Sequence, residues 1–363
     1  MEGAVIVMDL EVLSVPDGEK GKLWRGLLAR VGLEADEAVE ETALLWEGGA
    51  LVAAASRQGE VLKCIAVSPD RQGEGLLPSV LTPLRQGAFQ SGIRRLFLYT
   101  KPENEALFTP LLFYSVARTD RVLLMEDRRS GIRRFLEGLP AEPAAPGGGA
   151  VGAAVMNCDP FTAGHRHLIS AAAAECRQVY VFVLSEDRGH FSAADRLELV
   201  RRGTADISNV MVLPTGPYLI SRATFPTYFL KNREQAEEAQ CQLDIEIFLR
   251  YFVPHFAITR RYVGTEPLSP LTDRYNAALL SALPGRGVEV RLVPRLERRG
   301  VPVSASAVRA ALAEGDWAAV RALVPRTTFD YLRDGNFAPQ QPAAGDFGRS
   351  PGAGKIKNGG EMT

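Results

Sequence analysis

Residues 156–165 read Met156-Asn-Cys-Asp-Pro-Phe-Thr-Ala-Gly-His165, and this stretch decides the fold of the chain. The apolar run 150–155 before it predicts a buried strand, and the Ala-rich run 168–176 after it predicts a helix. Residues 160–165 are therefore a turn between strand and helix, at the carboxyl end of the strand. Open α/β sheets bind their ligands at this edge, so the stretch predicts a ligand site as well as a fold.

The same turn has the chemistry of a phosphate site. The start of a helix offers free backbone N–H groups, and the helix dipole favours negative charge there. Gly164 has no Cβ and lets the backbone approach a phosphate closely, while His165 adds a side-chain donor. One alternative stays open for His165, which is a local hydrogen bond at the start of the helix.

Composition limits the classes of function. At 363 residues the chain predicts two domains, and its net charge of −1 argues against a nucleic acid partner. The apolar runs are too short to cross a bilayer and the first residues do not resemble a signal peptide, so we expect no membrane partner and a cytoplasmic location. The four cysteines and four histidines are too scattered to predict a disulfide framework or a metal site.

The N-terminal half, residues 1–139, has the pattern of an α/β domain. Strands are predicted at 43–46, 51–55, 61–67, 95–99 and 121–125, with helices from 77 to 90 and from 103 to 113. Residues 127–139 carry four arginines and predict one exposed helix. The Pro- and Gly-rich residues 140–149 predict a linker.

One turn in this half, Gln72-Gly-Glu-Gly75, is similar to a motif of the GNAT acetyltransferase superfamily. In that superfamily, backbone N–H groups at a helix start hold the pyrophosphate of coenzyme A. The resemblance implies a site for a coenzyme A-like arm, formed by Gln72, Gly73, Gly75 and Asn104. Leu77 and Leu112 replace smaller residues of the family pattern and predict crowding there. A Gly-rich turn without a ligand is the alternative.

In the C-terminal half, residues 150–335, strand-like segments alternate with segments of helical periodicity. Strands are predicted at 178–184, 209–213, 255–263 and 288–293, and helices at 193–203, 232–242, 270–283 and 304–314. This alternation predicts a Rossmann-like, doubly wound parallel sheet. The Gly-, Pro- and Ala-rich residues 336–363 predict a disordered tail.

A second motif in this half, Val303-Ser-Ala-Ser-Ala-Val-Arg309, follows a strand and opens a helix. Together with Thr162-Ala-Gly-His165 it resembles the paired signatures of the nucleotidylyltransferase superfamily, and the resemblance implies an ATP site. The hydroxyls of Ser304 and Ser306 can cap the helix or bind phosphate, and Arg309 can grip phosphate oxygens with a bidentate fork. Taken alone, the motif also fits an N-cap followed by a surface arginine.

Three further segments carry polar residues to the same sheet edge. Residues 215–231 form a long polar loop in which Ser221, Arg222 and Lys231 could bind a carboxylate or phosphate. Solvated loop charges are the alternative for the two cations. Asp187 follows one strand, and Gly264, Thr265 and Glu266 follow another.

The whole layout resembles the citrate lyase ligase family, in blocks that span roughly residues 40–330. The most specific block is Ser221-Arg-Ala-Thr-Phe-Pro-Thr-Tyr-Phe-Leu-Lys231. The resemblance implies that ATP, with Mg²⁺, and acetate form acetyl-adenylate, and that the acetyl group passes to the prosthetic thiol of the citrate lyase acyl carrier subunit. The implied catalytic residues are His165, Arg309 and Lys231, with Ser221, Arg222 and Asp187 at the substrate. The implied ATP-binding residues are Asn157, Pro160, Phe161, Thr162, Gly164, His165, Gly264, Thr265, Glu266, Ser304, Ser306 and Arg309.

Two other functions stay open at this stage. An adenylyltransferase that makes a dinucleotide or dephospho-coenzyme A shares the Thr-x-Gly-His motif, but it does not explain the N-terminal half. A non-catalytic acyl-coenzyme A sensor would fit Leu77 and Leu112, but it does not explain His165 and Arg309. Cys158 lies beside the predicted site and is interpreted as a packing residue.

Overall fold

The computed structural model describes residues 8–142, 148–187, 189–219, 225, 228–230, 233–265, 270–298 and 300–335. The centre of the predicted linker, residues 143–147, and the predicted tail from residue 336 lie outside the described residues. Both halves are α/β, as predicted, and each has its own sheet.

The N-terminal half builds a mixed sheet with the strand order β1-β2-β3-β4-β5-β7-β6. Neighbouring strands are antiparallel except for the parallel pair β4 and β5. Its elements are β1 Met8–Leu13, α1 Gly18–Arg30, β2 Glu41–Glu47, β3 Ala50–Gln58, β4 Val61–Val67, α2 Leu77–Gln90, β5 Phe97–Thr100, α3 Glu105–Phe108, β6 Tyr114–Arg118, β7 Leu123–Glu126 and α4 Gly131–Glu137.

Two predictions for this half are wrong in detail. The helix predicted at 103–113 is a series of short turns, Pro102–Asn104, Glu105–Phe108 and Thr109–Leu111, because Pro110 interrupts a continuous ladder. The exposed helix predicted at 127–139 is the shorter α4, and it is not wholly exposed. Ile132 and Leu136, four residues apart, lie on its buried face, while the arginines of this segment remain in solvent.

The strands β4 and β5 separate soon after they meet. They pair at Val61 with Phe97 and at Leu62 with Leu98, and no later pair forms between these two fully described strands. Cys64 has a φ of 52°, and the register between β3 and β4 shifts beside it. The bulge and the divergence open a gap in the sheet, and a cavity of about 560 Å³ lies there.

The C-terminal half has the predicted parallel sheet, with strand order β10-β9-β8-β11-β12. The elements are β8 Val151–Met156, α5 Ala163–Glu175, β9 Gln178–Val183, α6 Ala193–Thr204, β10 Val210–Pro214, α7 Arg233–Ile247, a π-helical turn Phe248–Phe252, α8 Val253–Phe256, β11 Arg260–Gly264, α9 Pro270–Ala282, β12 Glu289–Val293, a small hairpin of β13 Glu297–Arg298 and β14 Val301–Pro302, and then α10 Ala305–Ala313, α11 Trp317–Leu323 and α12 Arg326–Arg333. The strand predicted to begin at 255 begins at 260, because the preceding residues complete α8.

The two halves share one apolar core. A continuous cluster of buried side chains runs from Trp24 and Tyr99 in the first half to Tyr180, Phe252 and Phe256 in the second. Hydrogen bonds cross the same interface, since the hydroxyl of Tyr251 donates to the carbonyl of Val116 at 2.8 Å. The sheet of the N-terminal half therefore buries one face against the C-terminal half, and its other face against α2 and α3.

A buried polar network lies inside this interface. The hydroxyl of Tyr218 donates to Glu126 at 2.8 Å and accepts from Arg95 at 2.7 Å. The other oxygen of Glu126 accepts from the backbone N–H of Ile132 at 3.1 Å, at the start of α4. Burial raises the pKa of Glu126, so each of these hydrogen bonds matters for keeping the carboxylate satisfied.

Removing one hydroxyl tests this network. We expect Tyr218→Phe to lower the free energy of unfolding by about 1–3 kcal/mol, because it leaves two buried polar groups short of a partner. Tyr114→Phe, at a half-buried position of β6, is the matched control, with an expected change within about 0.5 kcal/mol. Urea denaturation of the full chain measures both, and equal effects in the two variants would contradict the role of the network.

Candidate functional site

The turn after β8 is closed by two reciprocal hydrogen bonds between Thr162 and His165. The Thr162 hydroxyl accepts from the backbone N–H of His165 at 3.3 Å, and His165 Nδ1 accepts from the backbone N–H of Thr162 at 3.0 Å. The local hydrogen bond that the sequence left open for His165 is therefore present. Because Nδ1 is the acceptor, the neutral ring carries its proton on Nε2, and that N–H is the group left for a ligand.

His165 is held as a neutral donor. Burial lowers its pKa to about 4, and the positive charge of Arg295 adds to this effect. Its ring stacks on Phe161, with the ring centres 5.9 Å apart and the planes inclined by 13°. His165 can therefore donate one hydrogen bond from Nε2 at neutral pH, but it does not supply a positive charge.

Two of the residues implied to bind ATP act from behind the site. Phe161 is fully buried, and a Cβ added at Gly203 of α6 would lie only 2.3 Å from its ring. Thr162 is also buried, at the N-cap of α5. Both residues support His165 in this structure, and their contact with ATP stays a prediction. Pro160 is buried as well, after a cis peptide bond with Asp159.

The two sequence motifs meet at Gly164. A Cβ added there would lie 3.2 Å from the carbonyl oxygen of Val303, the first residue of the second motif. The absence of a side chain thus lets α5 approach the loop that opens α10. The observed neighbour is a backbone carbonyl, and close approach to a phosphate stays a prediction.

Arg309 is anchored on the phosphate turn. Its NH1 donates to the carbonyl oxygen of Asp159 at 2.5 Å and lies 3.6 Å from the carboxylate of the same residue. Its NH2 lies 3.4 Å from the hydroxyl of Ser306. Ser304 caps α10, since its hydroxyl accepts from the N–H of Ala307 at 3.1 Å. Ser304 is thus an N-cap and Arg309 is anchored on the turn, while phosphate contact by either residue stays a prediction.

Asp159 holds the other side of the turn. Its buried carboxylate accepts from the backbone N–H groups of His190 at 3.2 Å and Phe191 at 3.0 Å. The same residue receives Arg309 through its carbonyl. One residue just before the first motif therefore ties together the end of β8, the loop before α6 and the helix α10.

Arg196 supports the site but was not predicted. It is fully buried in α6 and donates to the backbone and side-chain oxygens of Asn157, at 2.8 and 2.6 Å, and to the carbonyls of Phe191 and Glu186. A signal existed in the sequence, because Arg196 shares a helix face with Leu199, Val200 and Gly203. An arginine on the apolar face of a helix indicates buried acceptors.

The remaining predicted residues divide into three groups. Gly264 and Thr265 lie at the same carboxyl edge, where the Thr265 hydroxyl accepts from the N–H of Arg295 at 3.1 Å. Asp187 is exposed and accepts from the N–H of Ala193 at 2.5 Å, so it caps the start of α6. The predictions for Ser221, Arg222, Lys231 and Glu266 concern residues that lie outside the described ranges.

The predicted arm residues come together at the cavity in the N-terminal half. Gln72, Gly73, Gly75 and Asn104 all line it, together with Leu77. Gly73 and Gly75 have φ values of 88° and 73°, which only glycine adopts easily. Leu112 is exposed and lies outside the lining, so the crowding predicted for this residue is wrong. It occupies a left-handed position, with a φ of 60°, where glycine would be unstrained.

Cys158 cannot serve as a nucleophile in this state. It is buried, and burial raises the pKa of its thiol. Within the described ranges, no cluster of His, Cys, Asp and Glu side chains could hold a metal ion. Among the helices of those ranges, none combines the length and the apolar character that a membrane span needs.

Comparisons with known proteins agree with this geometry. Residues 151–332 match the family model of the citrate lyase ligase C-terminal domain. The citrate (pro-3S)-lyase ligase of Klebsiella pneumoniae is 44% identical over 287 residues, which are 78% of this chain and 83% of the relative. The phosphopantetheine adenylyltransferase of Corynebacterium efficiens is 30% identical over 128 residues, 34% of this chain and 76% of that protein.

A solved acyl-CoA N-acyltransferase from Pseudomonas aeruginosa aligns over 34% of this chain and 100% of its own, with 16% identity and a TM-score of 0.29. The family assignment depends on the sequence matches instead. The family model covers half of the chain, and the Klebsiella relative matches it over most of both lengths. The chain therefore belongs to the citrate lyase ligase family.

Proposed function

We propose that this enzyme uses ATP to join acetate to the prosthetic thiol of the citrate lyase acyl carrier subunit, by way of acetyl-adenylate, and so activates the lyase. The observation that carries the proposal is the contact of Arg309 with the phosphate turn through Asp159, at 2.5 Å. This contact brings a fixed cation, a neutral donor and two helix N-termini to one edge of a parallel sheet. The four described cysteines, all free and buried, fit the reducing cytoplasm in which such an enzyme would work.

The first step needs electrostatic stabilisation more than a protein nucleophile. A carboxylate oxygen of acetate attacks the α-phosphorus of ATP, and the bond from that phosphorus to the pyrophosphate oxygen breaks. Arg309 stabilises the growing negative charge, and the Nε2–H of His165 donates to a phosphate oxygen. The backbone N–H groups at the starts of α5 and α10 favour the same anion. Mg²⁺ would be held by the phosphates of the nucleotide and would add positive charge there.

In the second step the carrier thiol attacks the acetyl carbon, the carbon–oxygen bond to AMP breaks, and the thiol proton passes to solvent or to a nearby base. The cavity lined by Gln72, Gly73, Gly75 and Asn104 would hold the prosthetic arm before and after this transfer, while its thiol is free or acetylated. The two sites share neighbours, which supports this route. Burial, with a smaller effect of the charge of Glu186, raises the pKa of Tyr99 in the cavity wall. Arg196 donates to the carbonyl of Glu186 and to the side chain of Asn157, which links the segment of Glu186 to the phosphate turn.

The decisive experiment is acid-dependent exchange of labelled pyrophosphate into ATP by the full chain. The proposal requires exchange with acetate and none without an acid. Exchange that needs 4′-phosphopantetheine instead would favour an adenylyltransferase. If neither acetate nor 4′-phosphopantetheine supports exchange, a binding protein without catalysis would be favoured.

His165 provides the first test within the site. We expect His165→Ala to lower acetate-dependent exchange by about 10²–10³-fold, because one preorganised donor is lost from the transition state. His165→Asn is the matched control for the fold, since its amide oxygen can replace Nδ1 as the acceptor of the Thr162 N–H. We expect this variant to keep a free energy of unfolding close to that of the parent but to lose pyrophosphate exchange as well. Parental exchange in His165→Asn would show that Nε2 has no role.

Arg309 provides the second test. We expect Arg309→Lys to lower kcat/KM for ATP by at least about tenfold, because an ammonium group cannot reach Asp159 and a phosphate with one planar fork. Arg326→Lys, on an arginine that is 92% exposed, is the matched control and should leave exchange unchanged. Steady-state exchange kinetics measure both variants. Parental values for Arg309→Lys would contradict a role for Arg309 in binding the phosphates.

The pKa of His165 predicts a pH dependence of stability. The folded pKa of about 4 lies below the ordinary value of 6.5, so the folded state binds fewer protons between these two values. The free energy of unfolding should consequently fall as the pH drops through this window, and it should be unaffected by His165 above it. Urea denaturation at pH 7.5 and pH 5 should show a larger loss in the parent than in His165→Asn. An equal loss in both would mean that His165 titrates normally.

A further inference from the structure

The cavity in the N-terminal half is completed by the C-terminal half. Tyr228 and Phe229 line it, although they belong to the segment that follows β10. Both side chains are 7% exposed, and the carbonyl of Tyr228 accepts from the backbone N–H of Glu34 at 2.8 Å. The pocket predicted from the first half alone is therefore a composite of both halves.

Tyr228 occupies the gap between the diverging strands. The N–H of Phe97 donates to the carbonyl of Glu60, so Phe97 points its backbone groups towards β4. Backbone groups alternate in direction along a strand, which turns the carbonyl of Tyr99 to the same side. β4 has separated from β5 at this point, and the hydroxyl of Tyr228 donates to that carbonyl at 3.1 Å. The tyrosine thus replaces a strand-to-strand hydrogen bond.

The two ends of the cavity differ in exposure. Gln72, Gly73 and Gly75 are exposed and form its mouth, whereas Tyr99, Tyr228 and Phe229 are buried and form its base. Burial raises the pKa of Tyr228 well above its ordinary value, so the hydroxyl stays protonated and the base of the cavity is uncharged. A long ligand that enters past the glycines consequently ends against an uncharged wall of aromatic side chains.

We propose that Tyr228 and Phe229 are the end wall that sets the depth of the arm pocket, so that it accepts a free thiol or a two-carbon thioester and rejects longer acyl groups. Within the proposed function, on which this inference rests, the wall is a specificity determinant for the end of the arm. A cavity of about 560 Å³ is in the usual range for an arm of this size.

The test is binding of coenzyme A, acetyl-coenzyme A and hexanoyl-coenzyme A to the full chain by calorimetry. The parent should bind the first two with similar Kd and the hexanoyl ester at least about tenfold more weakly. Phe229→Ala removes part of the wall and should bring the hexanoyl ester to within about threefold of acetyl-coenzyme A. Tyr228→Phe keeps the ring, so it should keep the parental limit on chain length. Phe229→Leu, which should shift the limit in the same direction by less, replaces Phe229→Ala if that variant does not fold.

Two outcomes would overturn the end wall. One is a parental chain-length limit in the variants with a smaller side chain at position 229, which would place the limit elsewhere in the cavity. The other is a parent that binds none of the three ligands, which would contradict both the proposed wall and the proposed arm pocket. Acetate-dependent pyrophosphate exchange, measured on the same preparations, reports adenylation separately. It would persist if only the pocket were wrong, and it would be absent if the proposed adenylation were wrong.

Discussion

The site depends on the buried residue Asp159. A carboxylate that leaves water must find donors, or burial becomes strongly unfavourable. Asp159 meets this requirement with two backbone N–H groups from the loop before α6, and its carbonyl receives Arg309 from α10. Three segments that are far apart in sequence are thereby fixed around one turn. Asp159 thereby positions Arg309, whereas the Thr162 cap and the Phe161 ring orient His165 on the same turn.

The shared core of the two halves has a further consequence for how the enzyme works. Apolar side chains from both halves form one cluster, and the network of Tyr218, Glu126 and Arg95 lies within the interface. A cavity that needs Tyr228 from one half and Gln72 from the other exists only in the joined chain. The two halves are therefore better understood as one body with two sites than as separable catalytic and carrier-binding modules.

Local signals in the sequence predicted much of this architecture, but they did not predict contacts between residues that are far apart in the chain. Alternating periodicity gave the parallel sheet, and the two motifs gave His165 and Arg309, because each depends on neighbours within about ten residues. The roles of Arg196 and Tyr228 depend on partners 39 and 129 residues away, Asn157 and Tyr99. His165 was predicted as a donor, but its neutral state follows from burial and from Arg295, which only the folded chain brings near.

The division between His165 and Arg309 has a physical logic in the proposed adenylation. A positive charge on His165 would be costly to bury near Arg295 before a nucleotide arrives, since like charges repel strongly where water is excluded. A neutral imidazole avoids that repulsion and still donates to a phosphate oxygen when charge develops. The cap with Thr162 fixes which nitrogen carries the proton, because the backbone N–H occupies Nδ1. The local hydrogen bond and the proposed ligand contact are thus parts of one arrangement, in which the cap sets the tautomer that the chemistry needs.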